Sequence, residues 1–207
     1  MTFRELLRSE YQPWGELSDL KLDQLESHFR LLEAWNRRLN LTRIRDLTEV
    51  VRFHYCESLF LSTVLPEGPL DVCDLGSGAG FPGIPLSIAR PDVRVALIES
   101  DQRKAVFLRE ATRELGNVLV EARRHEESAH VFDWAVSRAL APGSFLKSRL
   151  ASNIALLTSA ANAPPGFELI TVKTNPQASC YRNRIPVCVW EYAARALRNP
   201  LVLTSKS

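Results

Sequence analysis

Long hydrophobic runs and closely spaced cysteines are both missing from this chain of 207 residues. No run of apolar residues reaches the ~18 that a membrane-spanning helix needs, and the first residues are charged rather than apolar as in a secretion signal. The four cysteines do not have the spacing of metal ligands. We therefore expect a cytoplasmic protein with reduced cysteines, no metal and no membrane partner. No sequence feature demands a dimer, so we expect a monomer.

The most distinctive motif that is present is D-V-C-D-L-G-S-G-A-G-F-P-G at residues 71–83. An apolar run ends in three glycines, Gly76, Gly78 and Gly80, and a helical pattern follows. The order of strand, tight turn and helix is typical of a nucleotide-type cofactor site, because glycines let a cofactor approach the backbone. A plain turn between a strand and a helix is the alternative interpretation of the loop alone.

Apolar periodicity divides the chain into an N-terminal helical extension at 1–68 and a second domain at 69–207. The spacing predicts a helix over 18–39 with Ser18 as its N-cap, and a second helix from the cap Thr48 to about residue 62. Beyond a Pro-Gly-Pro breaker, strands and helices alternate, which predicts an α/β fold with a doubly wound, mostly parallel sheet. We expect helices over 85–89 and over 103–115, the latter closed by Gly116, and strands over 72–75, 93–98, 118–120, 132–136, 154–157 and 167–172, with 200–204 as a candidate for the last strand.

Two acidic residues near the glycine loop indicate its ligand. Asp74 precedes the first glycine by two residues, where it can meet an amine, and Glu99 ends the second strand, where it can accept both ribose hydroxyls. The third glycine comes one residue earlier than in the dinucleotide pattern G-x-G-x-x-G, and no G-x-x-x-x-G-K-[ST] loop is present. S-adenosylmethionine has a ribose and an amine but no phosphate, so it fits this loop better than a nicotinamide dinucleotide does.

These residues carry a resemblance to a known family. The segment at 74–111, DLGSGAGFPGIPLSIARPDVRVALIESDQRKAVFLREA, resembles the core of the RsmG (GidB) family. Residues 35–42 resemble its W-N-x-x-x-N-L-T segment, and residues 137–139 resemble its S-R-A segment. The family's His-x-x-Asp-Ser step is matched by His54 with Glu57 and Ser58, where Glu stands in place of Asp. The resemblance covers roughly residues 20–150.

The resemblance implies a Rossmann-like class I methyltransferase fold and methyl transfer from S-adenosylmethionine to ring nitrogen N7 of a guanine in 16S ribosomal RNA. The partner is then that RNA or its assembly particle. Guanine N7 carries a lone pair and no proton, so no general base is required, and Arg138 is a candidate positioning residue through the cofactor carboxylate or the RNA. The family pattern places cofactor contacts on Gly76, Phe81, His125, Glu126 and Arg138, while Asp74 and Glu99 fit the same site and Gly78 and Gly80 complete its loop.

Arginine outnumbers lysine by 21 to 5, although the formal net charge is only +2. Guanidinium groups suit phosphate and base contacts, and a bias in genomic composition is an equally good explanation of the count. Between residues 30 and 55, arginines alternate with aromatic residues, a pattern that suits RNA. Phe29 and Trp35 lie on the apolar stripe and are expected in the core. The candidate RNA-binding residues are Arg37, Arg38, Arg43, Arg45 and Arg124.

One departure from the family pattern keeps other functions open. The Lys-Gly pair at the end of the family's fifth strand has no counterpart here, because residues 155–159 read A-L-L-T-S. Methyltransferases that act on exocyclic amines are expected to have an NPPY or DPPY motif, and this chain has neither. The alternatives are a methyltransferase of another RNA, a protein or a small molecule, a cofactor-binding RNA module without turnover, and a nicotinamide dehydrogenase.

Overall fold

A computed structural model describes residues 1–127, 130–138, 150–159, 168–172 and 187–193. The α-helices are α1 (Phe3–Tyr11), α2 (Asp19–Asn36), α3 (Leu47–Val50), α4 (Glu57–Val64), α5 (Gly83–Ala89) and α6 (Gln102–Ala111). The strands are β1 (Asp71–Leu75), β2 (Arg94–Ile98), β3 (Val118–Glu121), β4 (Phe132–Ser137), β5 (Ala151–Ser159), β6 (Glu168–Val172) and β7 (Val187–Ala193). None of the helices in the described ranges is long and apolar enough to cross a membrane.

The described strands form one sheet in the order β3-β2-β1-β4-β5-β7-β6. Strands β1 to β5 pair in parallel, while β7 runs antiparallel between β5 and β6. The predicted doubly wound, mostly parallel sheet is therefore confirmed. The strand order reverses between β1 and β4, and the crevice beyond the carboxyl ends of the strands at such a switch point is where open α/β sheets bind ligands.

The N-terminal helices differ from the prediction at three places. Helix α1 was not expected, and a capping box between Thr2 and Glu5 begins it. Helix α2 starts behind Ser18 as predicted but ends at Asn36. The cap of the next helix is Asp46 and not Thr48, because the Asp46 carboxylate accepts a hydrogen bond from the backbone N–H of Glu49 at 2.9 Å.

Helices α3 and α4 belong to one helical run that the π-helical residues Val51–Cys56 connect. The backbone stays in the right-handed helical region on both sides of this π-helical turn, so the chain does not break there. The turn carries the buried residues His54 and Tyr55 toward the sheet domain. Such turns are frequent at functional sites.

One further prediction of a helix end is wrong. Helix α6 ends at Ala111, and Gly116 does not cap it, because Thr112 leaves the helical conformation and its hydroxyl donates to the Leu108 carbonyl at 2.8 Å. The antiparallel strand β7 at Val187–Ala193 was not predicted, and the candidate strand at 200–204 lies outside the described residues.

A continuous core joins the N-terminal helices to one face of the sheet. Leu7, Leu25 and Tyr55 from the helical extension share a cluster of buried residues with Ile84 and Phe107. The predicted core residues Phe29 and Trp35 are partly buried and pack against this cluster. The N-terminal helices thus pack on the sheet and do not form a separate core within the described residues.

The capping box predicts the stability of helix α1. Thr2→Ala removes the side-chain acceptor for the Glu5 backbone N–H, and such caps contribute about 1 kcal/mol. We expect the free energy of unfolding, measured in urea, to fall by roughly that amount. Ser9→Ala on the exposed face of the same helix is the control and should cost nothing, since alanine is the better helix former. Equal values for both variants would contradict a stabilising cap.

Candidate functional site

The glycine loop between β1 and α5 lies at the switch point of the sheet. Gly78 and Gly80 have left-handed φ angles of 55° and 86°, which other residues adopt at a cost. A Cβ atom at Gly80 would overlap the side chain of Ile84, whereas a Cβ at Gly78 would meet only the Gly76 carbonyl oxygen, at 3.7 Å. Gly80 is therefore needed for packing within the loop, while Gly78 leaves open space in front of the backbone.

Glu99 holds the loop from the end of β2. Its carboxylate accepts a hydrogen bond from the Gly78 backbone N–H at 2.9 Å and another from the Asp101 N–H at 2.8 Å. The residue is only 7% exposed. A carboxylate has about four lone-pair positions, so Glu99 can fix the loop and still accept hydroxyl groups of a ligand beside Gly78.

Asp74 lies beneath the loop and is fully buried. One carboxylate oxygen, Oδ2, accepts a hydrogen bond from the Gly83 N–H at 3.0 Å, at the start of α5. The other oxygen, Oδ1, is buried without a partner among the described residues. The pKa of Asp74 is raised to about 7, and burial is the largest of the several influences on it. Asp74 therefore anchors α5 to β1 and keeps one unsatisfied acceptor at the base of the site.

Arg138 follows β4 and meets residues from the N-terminal extension. Its Nη1 donates to Nδ1 of His54 at 2.5 Å, and its Nη2 lies 3.3 Å from a Glu57 carboxylate oxygen. The His54 ring stacks on Phe81 of the glycine loop, with ring centroids 4.6 Å apart and planes at 19°. The structure thus brings Phe81 and Arg138 together through His54.

His125 and Glu126 follow β3, which neighbours β2 at the same edge of the sheet. The two side chains pair with each other at 3.3 Å. The backbone N–H of Glu99 donates to the Glu121 carbonyl at 3.1 Å, so the end of β3 adjoins the end of β2. The cofactor contacts assigned to His125 and Glu126 stay a prediction.

Four candidate RNA-binding arginines lie in the segment between α2 and α3, here called the arginine loop, and the fifth lies beside the turn that follows β3. Arg37 is the C-cap of α2, and Arg38, Arg43 and Arg45 follow it before α3. All four are exposed and make no ion pair within the described part of the chain. Two arginines outside this loop are engaged, since Arg30 pairs with Glu26 and Arg52 with Glu10. Arg124 is exposed beside the turn that holds His125.

The sequence analysis did not identify His28 as part of the site. His28 occupies a buried position on the inner face of α2, and its Nε2 is 3.0 Å from the carbonyl oxygen of Ala79 in the glycine loop. Its Nδ1 is 2.9 Å from the Tyr55 hydroxyl. Burial lowers the pKa of His28 to about 4, so the ring is neutral at pH 7. A histidine on an otherwise apolar stripe is the signal that could have found it.

The sequence segments that carry the family resemblance meet at this site. The sequence model of the family described as rRNA small subunit methyltransferase G matches residues 21–156, which include the arginine loop, the glycine loop and β1 to β4. The chain belongs to the rRNA small subunit methyltransferase G family. Within the described residues, no group of three or more His, Cys, Asp or Glu residues could hold a metal ion.

Relatives in the methyltransferase G family match this chain over part of their length. The ribosomal RNA small subunit methyltransferase G of a Roseiflexus species is 42% identical over 106 residues, which are 51% of this chain and 45% of that protein. The Neisseria gonorrhoeae protein of the same name is 40% identical over 147 residues, which are 68% of this chain and 70% of that protein. The chain therefore matches less than half of the first relative and more than two thirds of the second.

A solved structure supports the fold. A SAM-dependent methyltransferase from Aquifex aeolicus is similar to this chain with a TM-score of 0.52 at 17% identity, covering 74% of this chain and 96% of that one. At this identity the likeness concerns the Rossmann-like sheet with its flanking helices.

The buried carboxyl group of Asp74 predicts a pH dependence of stability. Its folded pKa of about 7 lies above the ordinary value of 3.8, so between these values the folded state keeps a proton that the unfolded chain has released. The contribution of Asp74 to stability therefore falls as pH rises through this window and is constant above it. Asp74→Asn does not titrate, so its free energy of unfolding relative to wild type should increase from about pH 4 to about pH 7.

Urea unfolding of both proteins across this pH range measures that difference. Other titrating groups are common to the two proteins and cancel. A difference that does not change with pH would contradict a raised pKa at Asp74.

Proposed function

We propose that this protein transfers a methyl group from S-adenosylmethionine to ring nitrogen N7 of a guanine in small-subunit ribosomal RNA. The observation that carries the proposal is the glycine loop with open space at Gly78, held by Asp74 and Glu99 at the switch point of the sheet. Membership of the methyltransferase G family adds the RNA substrate.

The residues at the loop fit S-adenosylmethionine. A Cβ atom at Gly78 would fill the space in front of the backbone, and Glu99 beside it can accept ribose hydroxyls. Asp74 Oδ1 is a buried acceptor without a partner among the described residues, which suits a donor group of the ligand. When bound, S-adenosylmethionine supplies an electrophilic methyl group on a sulfonium. The residues proposed to hold it are Asp74, Gly76, Gly78, Gly80, Phe81, Glu99, His125, Glu126 and Arg138.

The proposed reaction requires no general base from the protein. Guanine N7 has a free lone pair, so the residues of the chain need to bind, orient and exclude water. Arg138, held beside Phe81, is the residue proposed to position a carboxylate or phosphate at this edge. The buried histidines His28 and His54 are neutral, because burial lowers their pKa to about 4 and about 3. Neither can therefore act as a general acid at neutral pH.

The arginine loop suits the RNA side of the proposal. The Thr42 hydroxyl in this loop lies 2.7 Å from His54 Nε2, and His54 contacts both Arg138 and Phe81. The loop that carries these exposed guanidinium groups is therefore joined to the cofactor loop through His54. Phosphates bound there would bring an adjacent base toward the site.

A cofactor-binding RNA module without turnover is the second candidate. Strand β5 runs over Ala151–Ser159 and contains neither lysine nor glycine, whereas the family pattern ends this strand with a Lys-Gly pair. Loss of a cation near the RNA would leave the cofactor loop intact. The two candidates differ in methyl transfer and agree in cofactor binding.

Methyl transfer from tritiated S-adenosylmethionine tests the proposal. Undermethylated 16S RNA and the assembled small subunit are offered as substrates, and N7-methylguanosine is identified in the nucleoside digest. Transfer to guanine N7 in either RNA sample supports the proposed function. Cofactor binding without transfer supports the module. Transfer only to a protein or to a small molecule indicates a methyltransferase of that substrate class, and the absence of cofactor binding rejects the proposal.

The variant Glu99→Ala tests the proposed contact between Glu99 and the cofactor. Loss of a charge-assisted hydrogen bond costs about 1.5–3 kcal/mol, so the dissociation constant for S-adenosylhomocysteine should rise about 10- to 100-fold by calorimetry. Glu114→Ala, at a side chain 88% exposed, is the control and should leave it unchanged. An unchanged constant for Glu99→Ala would remove this residue from the site.

Charge reversal in the arginine loop tests the RNA contacts. Arg37→Glu with Arg38→Glu should weaken RNA binding and reduce its salt dependence, since each lost phosphate contact lowers the salt slope by about one. Cofactor affinity should stay the same. Arg109→Glu with Arg113→Glu, in α6 and just beyond its end, makes the same change in net charge away from the loop. Filter binding at two salt concentrations separates the pairs, and equal losses would show a general charge effect only.

A further inference from the structure

A chain of polar contacts leads from helix α2 to Arg138. The Asn36 side chain pairs with both backbone groups of Thr42, donating to its carbonyl and accepting from its N–H, each at 3.0 Å. The Thr42 hydroxyl lies 2.7 Å from His54 Nε2, and His54 Nδ1 lies 2.5 Å from Arg138. Asn36 is 5% exposed and His54 8%, so these contacts are largely shielded from water.

Hydrogen-bond chemistry fixes the tautomer of His54. A guanidinium can only donate, so Nδ1 must be the acceptor, and the ring proton must lie on Nε2 and point to Thr42. The Thr42 hydroxyl oxygen already accepts from the Ile44 N–H at 3.1 Å and has a second lone pair for His54. A protonated ring would place an N–H and a positive charge against Arg138. The contacts therefore require a neutral ring.

Glu57 and Phe81 complete the surroundings of this pair. A Glu57 carboxylate oxygen lies 3.3 Å from Arg138, and burial raises the Glu57 pKa to about 7 while the charge of Arg138 opposes this rise. The His54 ring lies against the Phe81 ring, and the Arg138 side chain is only 22% exposed. The guanidinium is thus held on one side by an acceptor and on another by a carboxylate, with the loop adjacent.

We infer that His54 is a positioning residue for Arg138, which it holds at the cofactor loop through Nδ1 while Thr42 and Asn36 fix its ring through Nε2. The inference rests on the proposed function in that it takes Arg138 as a cofactor contact. The inference connects two segments of the family pattern, because Asn36 and Thr42 belong to W-N-x-x-x-N-L-T and Arg138 belongs to S-R-A. Residues of the N-terminal helices then determine the position of Arg138, which follows β4.

A double-mutant cycle separates positioning from packing. His54→Phe keeps a ring to stack on Phe81 and removes both hydrogen bonds. It should raise the dissociation constant for S-adenosylhomocysteine about tenfold, the effect of one hydrogen bond to a charged group. In an Arg138→Gln background the same substitution should have little further effect, since contacting residues are coupled. An equal fold-change in both backgrounds, or none in either, would overturn the inference.

Two further variants keep the test decisive. His54→Asn places an amide oxygen near the position of Nδ1 and should restore part of the affinity, which a role in packing alone would not predict. It also replaces His54→Phe in the cycle if the latter does not fold. His130→Phe changes an exposed histidine that contacts Phe132, and it should leave the dissociation constant unchanged.

A measurement without cofactor distinguishes this inference from the proposed function. In nitrogen-15 NMR spectra of the labelled histidines, His54 should show an unprotonated Nδ1 and a protonated Nε2, without titration between about pH 5 and pH 8. Arg138→Gln should shift the Nδ1 signal. The opposite tautomer, or a charged ring, overturns the inference even if the protein methylates RNA. Wild-type protein that fails to bind S-adenosylhomocysteine overturns the proposed function and the cofactor role of Arg138 with it, whatever the tautomer.

Discussion

The structure depends on how the backbone of one loop is held in a left-handed conformation at the end of a buried strand. Amide groups there cannot pair as in a helix or sheet, and buried amides without partners are costly. Asp74 and Glu99 solve this by accepting from the N–H groups of Gly83 and Gly78. The two carboxylates fix the start of α5 and the end of β2 relative to β1. The glycine loop therefore has a fixed position relative to the carboxyl ends of these strands.

The N-terminal helices contribute to the same constraint from the other side. His28 contacts the Ala79 carbonyl, and His54 and Tyr55 both contact the Phe81 ring. These are buried, oriented polar and aromatic contacts, which specify geometry more strongly than apolar packing does. The helical extension therefore belongs to the site and is more than a cover for the sheet.

The sequence predicts the local features of this protein well. Strand positions, the switch-point loop and the two acidic residues follow from short motifs and from periodicity, because each depends on neighbours in the chain. Side-chain directions do not follow in this way. Asp74 was expected near the ligand, and the sequence did not indicate that one of its oxygens would bind Gly83 while the other stays without a partner among the described residues.

Contacts between distant segments were beyond the sequence analysis. His54 and Arg138 are 84 residues apart, and only the folded sheet brings them together. The N-cap was predicted at Thr48, whereas in the structure the Asp46 carboxylate accepts from the Glu49 N–H and caps the helix. Helix α1 is the opposite case, because the T-x-x-E pattern of residues 2–5 is a local signal for its capping box.

The π-helical turn at Val51–Cys56 has a consequence for how this segment can vary in length. One extra residue in a helix rotates everything beyond it by about 100°. A π-helical turn accommodates one extra residue by widening locally, and Val50 before it and Leu61 after it are both buried. Removing one residue would restore an ordinary helix and change the direction of His54, and with it the stacking of His54 on Phe81. The length of this turn therefore determines the position of His54 at the site.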